Sequence, residues 1–515
     1  MSDSFSDIEL ECQGHLRGSA NGKHHAPWGK QLEADVADAL AWLHQYRATI
    51  DCTVERIPFA ESSQWRFDED TLDLRHDSGK FFSIQGYARQ TADGRSVQQP
   101  LINQPELGTQ GFIVRHNGAE YELLVQARTE PGNIDMVQMG PTIQATYSNY
   151  TTVHGGKRPK FLEHFHEPEK HDARVIVDTI QPELGSKFLR KWNRNIVIEV
   201  DDLPEFADPM FHWVSWSALS RLMLQDHVVN NDARLTAGLF ALEMGNQLFP
   251  TDRSCDIGRA NGNGSNSAGC PVGRSFATDA SFSFADAVEI RPWLNAQRRS
   301  DTQEVTELPL KDLSEWEVGD DEIRHRDGLF FSVIQVRVHA ADREVTDWDQ
   351  PLIMAKHLAA VTLVCRERNG VLNFLLRAAS QIGNASGAEL QPTVCFDNER
   401  AGEEDNLPQA VAELLQETNC KEHWRFLASD EGGRFYRCVS RYEIIWLDDA
   451  VEVALPDDYC WLTLAQIRKA MQEPDFVSDE SRSVLSLFLA KAFNERLTAN
   501  GRMTGQAAAP PPRLT

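Results

Sequence analysis

Apolar residues alternate with polar ones in several short runs, which predicts antiparallel β-strands that each bury one face. The apolar positions of one such run are Ile334, Val336 and Val338, and those of another are Tyr121, Leu123, Val125 and Ala127. A helical spacing appears instead at residues 33–46, where the apolar stripe consists of Val36, Leu40 and Leu43. Antiparallel strands mixed with helices predict an α+β fold.

The same pattern occurs twice, the second time about 250 residues after the first. The matching segments are Arg75–Phe82 with Arg324–Phe331, Pro141–Ile143 with Pro392–Val394, and Phe188–Arg190 with Phe435–Arg437. Each copy also ends in a tryptophan followed by a predicted helix, at Trp213 and at Trp461. Because order and spacing persist over about 170 residues, the sequence predicts a tandem repeat of two modules.

The chain of 515 residues is long enough for two cores, since single cores stop growing near roughly 250–300 residues. The ends are polar, and a stretch rich in Gly, Asn and Ser separates the copies, so these segments are expected to be disordered. The predicted divisions are a mobile N-terminal segment at 1–27, modules at 28–250 and 306–500, a linker at 251–305 and a tail at 501–515.

The charge balance excludes some partners. There are 77 acidic and 51 basic residues, and the net charge of −26 opposes binding to nucleic acid or to an anionic membrane surface. The nine cysteines are scattered without a C-x-x-C pair, which favours a reducing cytosol over a disulfide framework. With neither a leader-like start nor about 18 consecutive apolar residues, the protein is expected to be cytoplasmic.

One polar segment occurs only in the first copy. After Thr146 it contains Tyr147, Ser148, Asn149, Tyr150 and His154, followed by two glycines, whereas the second copy continues with unrelated residues after Val394. Hydroxyl, amide and imidazole groups beside glycines are the components of a polar ligand cradle. An ordinary loop whose side chains satisfy its own backbone is the alternative.

A cluster of positive charge follows at Arg190, Lys191 and Arg194. Guanidinium groups could hold a pyrophosphate there, or the cluster could be a solvated strand that pairs with acidic neighbours. Trp65 and Trp316 open the two copies, and each is either a stacking platform or a core residue.

Several familiar chemistries lack their motifs. The sequence has no dinucleotide-binding glycine pattern, Walker lysine loop, serine-hydrolase elbow or H-E-x-x-H pair. The histidines and glutamates of residues 163–171 resemble a metal cluster in composition, but a solvated charged turn is favoured. Neither a metal nor a cofactor is therefore expected.

Longer segments resemble the NDP-hexose 2,3-dehydratase family of deoxysugar biosynthesis. They are Pro131–Thr146 with its continuation to Gly156, Lys191–Asn195, and Asn231–Arg234. The resemblance implies two Nudix-like modules in tandem, a homodimer, and a dTDP-sugar pocket in each module. The acidic Nudix box is absent, so pyrophosphate hydrolysis is not expected.

The reaction implied by this resemblance is a 2,3-dehydration of a dTDP-4-keto-6-deoxyhexose. A base removes the C3 proton beside the ketone, the C2 hydroxyl leaves, and a 2,6-dideoxy-3,4-diketo nucleotide sugar forms without a cofactor. Because this product is unstable, the resemblance also implies a partner 3-ketoreductase. A catalytically inactive nucleotide-sugar-binding protein is the alternative.

The candidate site follows from the resemblance and from the residue types above. The expected substrate-binding residues are Trp65, Thr146, Tyr147, Ser148, Asn149, Tyr150, Ser186, Arg190, Arg194, Trp316 and Thr393. Tyr150 and His154 are the predicted catalytic residues, because an imidazole suits the base and a phenol suits the hydrogen-bond donor. The chain departs from the family at Tyr147, where arginine is usual, and at Lys187, where tryptophan is usual.

Overall fold

The structure is a computed structural model that describes residues 27–90, 96–146, 158–201, 203, 208–251, 270–301, 304–343, 345–396 and 407–501. Within these ranges each copy of the repeat contributes the same number of strands. The predicted mobile head at 1–27, except Pro27, and the predicted tail at 501–515, except Gly501, lie outside the described residues.

The first repeat contains twelve strands. They are β1 (Cys52–Ile57), β2 (Trp65–Phe67), β3 (Leu74–His76), β4 (Ser83–Gln90), β5 (Ser96–Asn103), β6 (Gly108–His116), β7 (Tyr121–Thr129), β8 (Val137–Gly140), β9 (Ile143–Thr146), β10 (Arg174–Pro182), β11 (Trp192–Glu199) and β12 (Phe211–Ser215). The second repeat supplies twelve more in the same order. They are β13 (Val305–Glu307), β14 (Trp316–Val318), β15 (Glu322–His325), β16 (Phe331–Ala340), β17 (Asp347–Ala355), β18 (Ala359–Arg368), β19 (Val371–Ala379), β20 (Glu389–Gln391), β21 (Val394–Phe396), β22 (Cys420–Ser429), β23 (Val439–Leu447) and β24 (Tyr459–Leu462).

Ten α-helices accompany these strands in the described residues. They are α1 (Pro27–Thr49), α2 (Leu162–His166), α3 (Trp216–Leu222), α4 (Asn231–Glu243), α5 (Gly245–Leu248), α6 (Pro271–Ala277), α7 (Ile290–Ser300), α8 (Gln409–Leu414), α9 (Leu464–Ala470) and α10 (Asp479–Gly501). Polar residues cap several of them: the Asn230 side chain accepts from Ala233 N at the start of α4, and Thr463 forms a capping box with Gln466 at the start of α9.

Each repeat has a large mixed sheet of seven strands. The order is β10–β11–β6–β7–β12 in the first repeat and β22–β23–β18–β19–β24 in the second, with two short strands added at the same places in each. The pairs β6–β11 and β18–β23 are parallel, and the other pairings in these sheets are antiparallel. The α+β prediction and the two-module repeat are therefore confirmed.

The two smaller sheets exchange strands between the repeats. Strand β1 of the first repeat pairs with β16 of the second, and β13 of the second repeat pairs with β4 of the first. Each five-stranded sheet consequently contains one strand from the other half of the chain. The repeats are joined through backbone hydrogen bonds as well as through side-chain packing.

Hydrophobic packing also crosses between the repeats. One buried cluster includes Trp65 and Phe82 of the first repeat together with Trp316 and Phe331 of the second. Helices α4 and α10 cross closely: a β-carbon built on Gly238 would lie 2.7 Å from the Cβ of Ser486. The core is therefore continuous between the two repeats.

Most of the local predictions agree with the structure. The stripe predicted at 33–46 lies within α1, and the alternating runs form β7 and β16, with Val125 and Val336 fully buried. The range predicted to be a linker, 251–305, differs in part because α6 and α7 form within it. Phe276 and Leu294 bury these helices in the core. Residues 252–269, its Gly-rich centre, lie outside the described residues.

Two turns are exchanged reciprocally between the repeats. Gly132 N donates to Gly432 O at 2.8 Å, and Gly383 N donates to Gly185 O at 2.8 Å. Arg437 N donates to Gly132 O at 2.7 Å, and Arg190 N donates to Gly383 O at the same distance. The turn of residues 183–188 thus lies on the second repeat, and the turn of residues 430–435 lies on the first.

Gly132 has no room for a side chain, because a β-carbon there would overlap the carbonyl oxygen of Phe435 and lie 2.7 Å from that of Gly432. We expect Gly132→Ala to lower the free energy of unfolding by about 1–3 kcal/mol, since both neighbours are backbone atoms that would have to shift. Chemical denaturation measures the change.

Gly79→Ala is the control. A β-carbon at Gly79 meets nothing within 4 Å, although its φ of +65° strains an alanine. A loss at Gly132 that is no larger than the loss at Gly79 would contradict the steric explanation.

Candidate active site

One cavity, with a volume of about 280 Å³, lies against the large sheet of the first repeat. Its floor is the large sheet, through β6, β7, β9 and β11, and its opposite wall is the small sheet, through Trp65, His76 and Phe82. The second repeat closes the remaining side with two segments, one near Trp348 and Asp349 and one containing Glu431, Gly433 and Arg434. The cavity is thus shared between the repeats.

The lining contains many charged groups in addition to its apolar residues. Six carboxyl groups and four basic groups reach the cavity: Glu106, Glu130, Glu183, Asp232, Asp349 and Glu431, with Arg128, Lys191, Arg343 and Arg434. Buried charges are costly unless they are paired or serve a function. Four of the ten groups, Glu130, Lys191, Asp232 and Asp349, are buried and the others are half-buried, and this concentration around one cavity marks it as the candidate active site.

Strand ends position several of these groups. Glu130 directly follows β7, and its carboxylate accepts hydrogen bonds from Arg128 Nε at 3.1 Å and Gln144 Nε2 at 2.8 Å. Lys191 precedes β11 and donates to Asn193 Oδ1 at 3.0 Å and to the carbonyl of Glu106. Asn193 in turn donates to the Glu183 carboxylate. These bonds fix the first-repeat wall.

Two carboxyl groups differ from the rest. The side-chain carboxyl groups of Asp232 and Glu431 receive no hydrogen bond from any residue that the structure describes, although both residues line the cavity. Asp232, which is 3% exposed, lies in the first turn of α4. Carboxyl oxygens that lack a protein partner and face a cavity are available to bind a ligand.

The pKa values of this cluster are shifted in the directions that acid–base chemistry requires. Burial raises the pKa of Glu431 to about 8, and the carboxylates of Glu130 and Glu183 add to the shift. Burial, followed by repulsion from Glu431, Glu183 and Glu130, raises the pKa of Asp232 well above its ordinary value. Burial lowers the pKa of Lys191 to about 8. The carboxyl cluster therefore retains a proton at neutral pH.

The second repeat has only part of this cluster. The hydrogen bond from Val364 N to Thr393 Oγ1 is equivalent to the one from Ile113 N to Thr142 Oγ1. Equivalent bonds of this kind identify corresponding positions in the two large sheets. At the positions of Arg128, Glu130 and Lys191 the second repeat has Ala379, Gln381 and Cys438. Carboxyl groups remain at the places of Glu183 and Asp232, which Asp430 and Glu480 take in the second repeat.

Two of the predicted binding residues line the cavity. Thr146 ends β9 at the cavity wall. Trp65 also lines it but is only 2% exposed, because its ring packs against Phe82 and its indole N–H donates to Asp349 O at 2.7 Å. The structure therefore gives Trp65 the position of a core residue at the cavity edge.

Four other predicted residues lie outside this cavity. Arg194 forms two 2.7 Å hydrogen bonds with Asp178, and Thr393 Oγ1 bridges Val364 N and Leu375 O inside the second repeat. Trp316 donates to Gln98 O at 2.8 Å, which mirrors Trp65. Ser186 is buried, with its carbonyl accepting from Gln99 at 2.6 Å.

Arg190 lies elsewhere, on the wall of a second cavity of about 400 Å³. That cavity is bordered by Arg89, Asp301 and Ser380, among which Arg89 donates to the Ser380 carbonyl at 2.9 Å. Arg190 and Arg194 are thus not brought together in one site.

The remaining predicted residues are Tyr147, Ser148, Asn149, Tyr150 and His154, and they lie outside the described residues. The predicted catalytic pair is among them. The charged turn at residues 163–171 is described, and His164 stacks on His171 with ring centroids 4.1 Å apart. Across the part of the chain that the structure describes, no cluster of three or more His, Cys, Asp or Glu side chains could hold a metal ion.

Sequence reasoning missed Glu130, Glu183, Asp232, Glu431 and Arg434 as site residues. A signal existed for Asp232, since it belongs to the segment Asn231–Arg234 that carried the family resemblance. For Glu431 the available signal was its difference from Leu184, the residue at the same place in the exchanged turn of the first repeat.

The raised pKa of Glu431 makes stability depend on pH. Its ordinary pKa is 4.5, so between pH 4.5 and about 8 the folded state holds a proton that the unfolded chain has released. The contribution of Glu431 to the stability of the wild-type protein therefore falls as the pH rises from 4.5 to about 8. We expect Glu431→Gln to match wild type near pH 4.5 and to exceed it by about 1–3 kcal/mol at pH 8.

Denaturation of both proteins across this pH range measures the difference. Glu452→Gln is the control, because the Glu452 side chain is 86% exposed and its replacement should give no pH-dependent difference. A difference between Glu431→Gln and wild type that stays constant with pH, or that shrinks toward pH 8, would contradict the assignment.

No helix among the described residues is both long enough and apolar enough to span a membrane. Three characterised relatives match nearly the whole chain, and each is named dTDP-4-dehydro-6-deoxy-alpha-D-glucopyranose 2,3-dehydratase. The relative from Amycolatopsis orientalis is 34% identical over 478 residues, which is 91% of this chain and 93% of the relative. The relative from Saccharopolyspora spinosa is 32% identical over 453 residues, covering 86% and 89%. The relative from Streptomyces violaceoruber is 34% identical over 458 residues, covering 88% and 96%.

The family comparison agrees with the internal repeat. The sequence model of the NDP-hexose 2,3-dehydratase family matches residues 36–238 and again residues 287–488, so each match covers one repeat. The second match begins before α7, which places that helix in the second repeat as the counterpart of α1. The chain therefore belongs to the NDP-hexose 2,3-dehydratase family, whose members are hydro-lyases that remove water from a nucleotide sugar.

Proposed function

We propose that this protein removes water across C2 and C3 of a dTDP-4-keto-6-deoxyhexose, and that it does so in the first-repeat cavity. The observation that carries the proposal is the pair of carboxyl groups, Asp232 and Glu431, that line this cavity without a hydrogen-bond partner among the described residues. The names of the three relatives support this choice of substrate.

The chemistry needs a base for the C3 proton, a hydrogen-bond donor for the C4 oxygen, and an acid for the hydroxyl that leaves C2. A carboxyl cluster that retains a proton at neutral pH supplies an acid. The basic groups of the cavity, among them Arg343 and Arg434, offset the negative charge of a bound diphosphate. Hydrophobic residues such as Phe81 and Trp348 provide surfaces against which the sugar or the nucleobase of the substrate could pack.

His154 is our candidate for the base at C3, and Tyr150 is our candidate for the donor to the C4 oxygen. Their place in the chain supports this: Thr146 lies on the cavity wall, and Tyr150 follows only four residues later. Tyr147, Ser148 and Asn149 stand between them and are proposed to contact the nucleotide sugar.

The wider context follows from the same proposal. Each repeat is proposed to be a Nudix-like module, which its mixed seven-stranded sheet with helices against it supports. The chain is proposed to act as a cytoplasmic homodimer. Because a 3,4-diketo sugar is unstable, a 3-ketoreductase is proposed to consume the product.

Proton NMR of dTDP-4-keto-6-deoxyglucose in deuterated water tests the reaction, with a 3-ketoreductase and NADPH present to trap the product. We expect C2 methylene signals that are diminished by deuterium. In His154→Ala and Tyr150→Phe the rate of product formation should fall by about 10²–10⁴-fold, while calorimetry should show that the nucleotide sugar still binds.

His171→Ala is the matched control, because His171 stacks on His164 and does not line the cavity. It should react at the wild-type rate. Wild-type protein that binds the substrate but leaves it unchanged would indicate a nucleotide-sugar-binding protein. Product formation unaffected by either variant would contradict the roles of Tyr150 and His154.

A further inference from the structure

The reciprocal exchange of turns brings a residue of the second repeat into the first-repeat cavity. The turn of residues 430–435 is held on the first repeat by backbone hydrogen bonds on both sides of Gly132. The corresponding turn, residues 183–188, is held on the second repeat by the same bonds around Gly383. The first-repeat cavity is therefore bordered by a turn from the second repeat.

The side chains of the exchanged turns differ where they face the cavities. Glu431 stands at the position of Leu184, which packs in the hydrophobic cluster with Trp316 and Phe331. A basic residue is common to both turns: Arg434 lies over the Phe82 ring at 4.2 Å, and Lys187 lies over the Phe331 ring at 4.9 Å. At this position only the turn from the second repeat has a carboxyl group.

Local geometry leaves the Glu431 carboxyl open to the cavity. A β-carbon built on Gly433 would clash with its Oε1 and would lie 3.8 Å from Oε1 of Glu130. The glycine thus leaves the space in which the two carboxyl groups approach each other. The Glu130 carboxylate accepts hydrogen bonds from Arg128 and Gln144, whereas no described residue donates to the Glu431 carboxyl group.

We propose that Glu431, supplied by the second repeat, is the catalytic acid in the cavity of the first repeat; this assignment rests on the proposed function. After the C3 proton has passed to the base, the electron pair is held as the C4 enolate. As the enolate re-forms the C4 carbonyl, the C2–C3 double bond forms and the C2–O bond breaks. The Glu431 proton goes to the departing oxygen, and water leaves.

Burial and the neighbouring carboxylates keep Glu431 protonated, so that it can give a proton in this step. They raise the pKa of Glu431 to about 8, so the group is protonated at neutral pH. Repulsion from Glu431 in turn helps to raise the pKa of Asp232. After the reaction, the proton taken from C3 balances the one delivered to the leaving group.

Glu431→Gln tests the assignment, because it preserves shape and removes the proton donor. We expect product formation to fall by about 10²–10⁴-fold. Binding of the nucleotide sugar should stay within about threefold of wild type, since Gln still donates hydrogen bonds. Deuterium should still enter C3 of recovered substrate in deuterated water, because the base at C3 is untouched.

The matched control is Glu389→Gln, since Glu389 is a buried carboxyl on the second-repeat sheet and the first repeat has Gln138 at that place. It should leave product formation unchanged. Substantial turnover by Glu431→Gln, within about fivefold of wild type, would overturn the assignment. Loss of C3 exchange together with elimination would overturn it too, because Glu431 would then act at C3.

The outcomes separate this assignment from the proposed function. If wild-type protein forms no methylene product, the proposed function fails. If wild type forms the product and Glu431→Gln does as well, only the role of Glu431 fails. Circular dichroism and denaturation at pH 8 confirm that the variant is folded, so that loss of turnover counts as chemistry.

Discussion

The structure depends on one reciprocal contact, in which each repeat seats a turn of the other beside a glycine. Gly132 receives the turn of residues 430–435, and Gly383 receives the turn of residues 183–188. The exchanged strands β1 and β13 reinforce the same arrangement. Because the contacts are backbone hydrogen bonds at positions too tight for a side chain, they fix the two repeats relative to each other. Neither cavity is complete within one repeat.

The electrostatics of the first cavity oppose stability. Ten ionisable groups border it, and three of its carboxyl groups, Glu183, Asp232 and Glu431, have pKa values raised by burial. Groups of this kind destabilise a folded protein unless they are paired or carry out chemistry. In the second repeat, apolar or uncharged residues replace Arg128, Glu130 and Lys191. The second repeat therefore shares only part of the charged set that borders this cavity.

Local sequence patterns predicted the local structure well. Period-2 alternation indicated β7 and β16, helical spacing indicated α1, and the repeat indicated two modules of one fold. The exchange of strands and turns could not be predicted, because it pairs residues that are far apart in the chain and have no local signature. In the linker range, α6 and α7 form because burial of Phe276 and Leu294 outweighs the surrounding polar composition.

The site was predictable only in part, for the same reason. Thr146 ends a segment that carried the family resemblance, Trp65 opens the first copy of the repeat, and both line the cavity. Arg194 looked like a phosphate ligand from charge alone, but the antiparallel pairing of β10 with β11 places it beside Asp178. Glu431 becomes a candidate only when its turn is seen on the opposite repeat.

A crystal structure of Glu431→Gln with bound dTDP-4-keto-6-deoxyglucose would show which groups face the sugar, because the variant should hold the substrate without consuming it. We expect the sugar in the first-repeat cavity, with its C2 hydroxyl within hydrogen-bond distance of the residue 431 side chain. A sugar bound only within the second repeat, or one whose C2 hydroxyl faces away from residue 431, would contradict it.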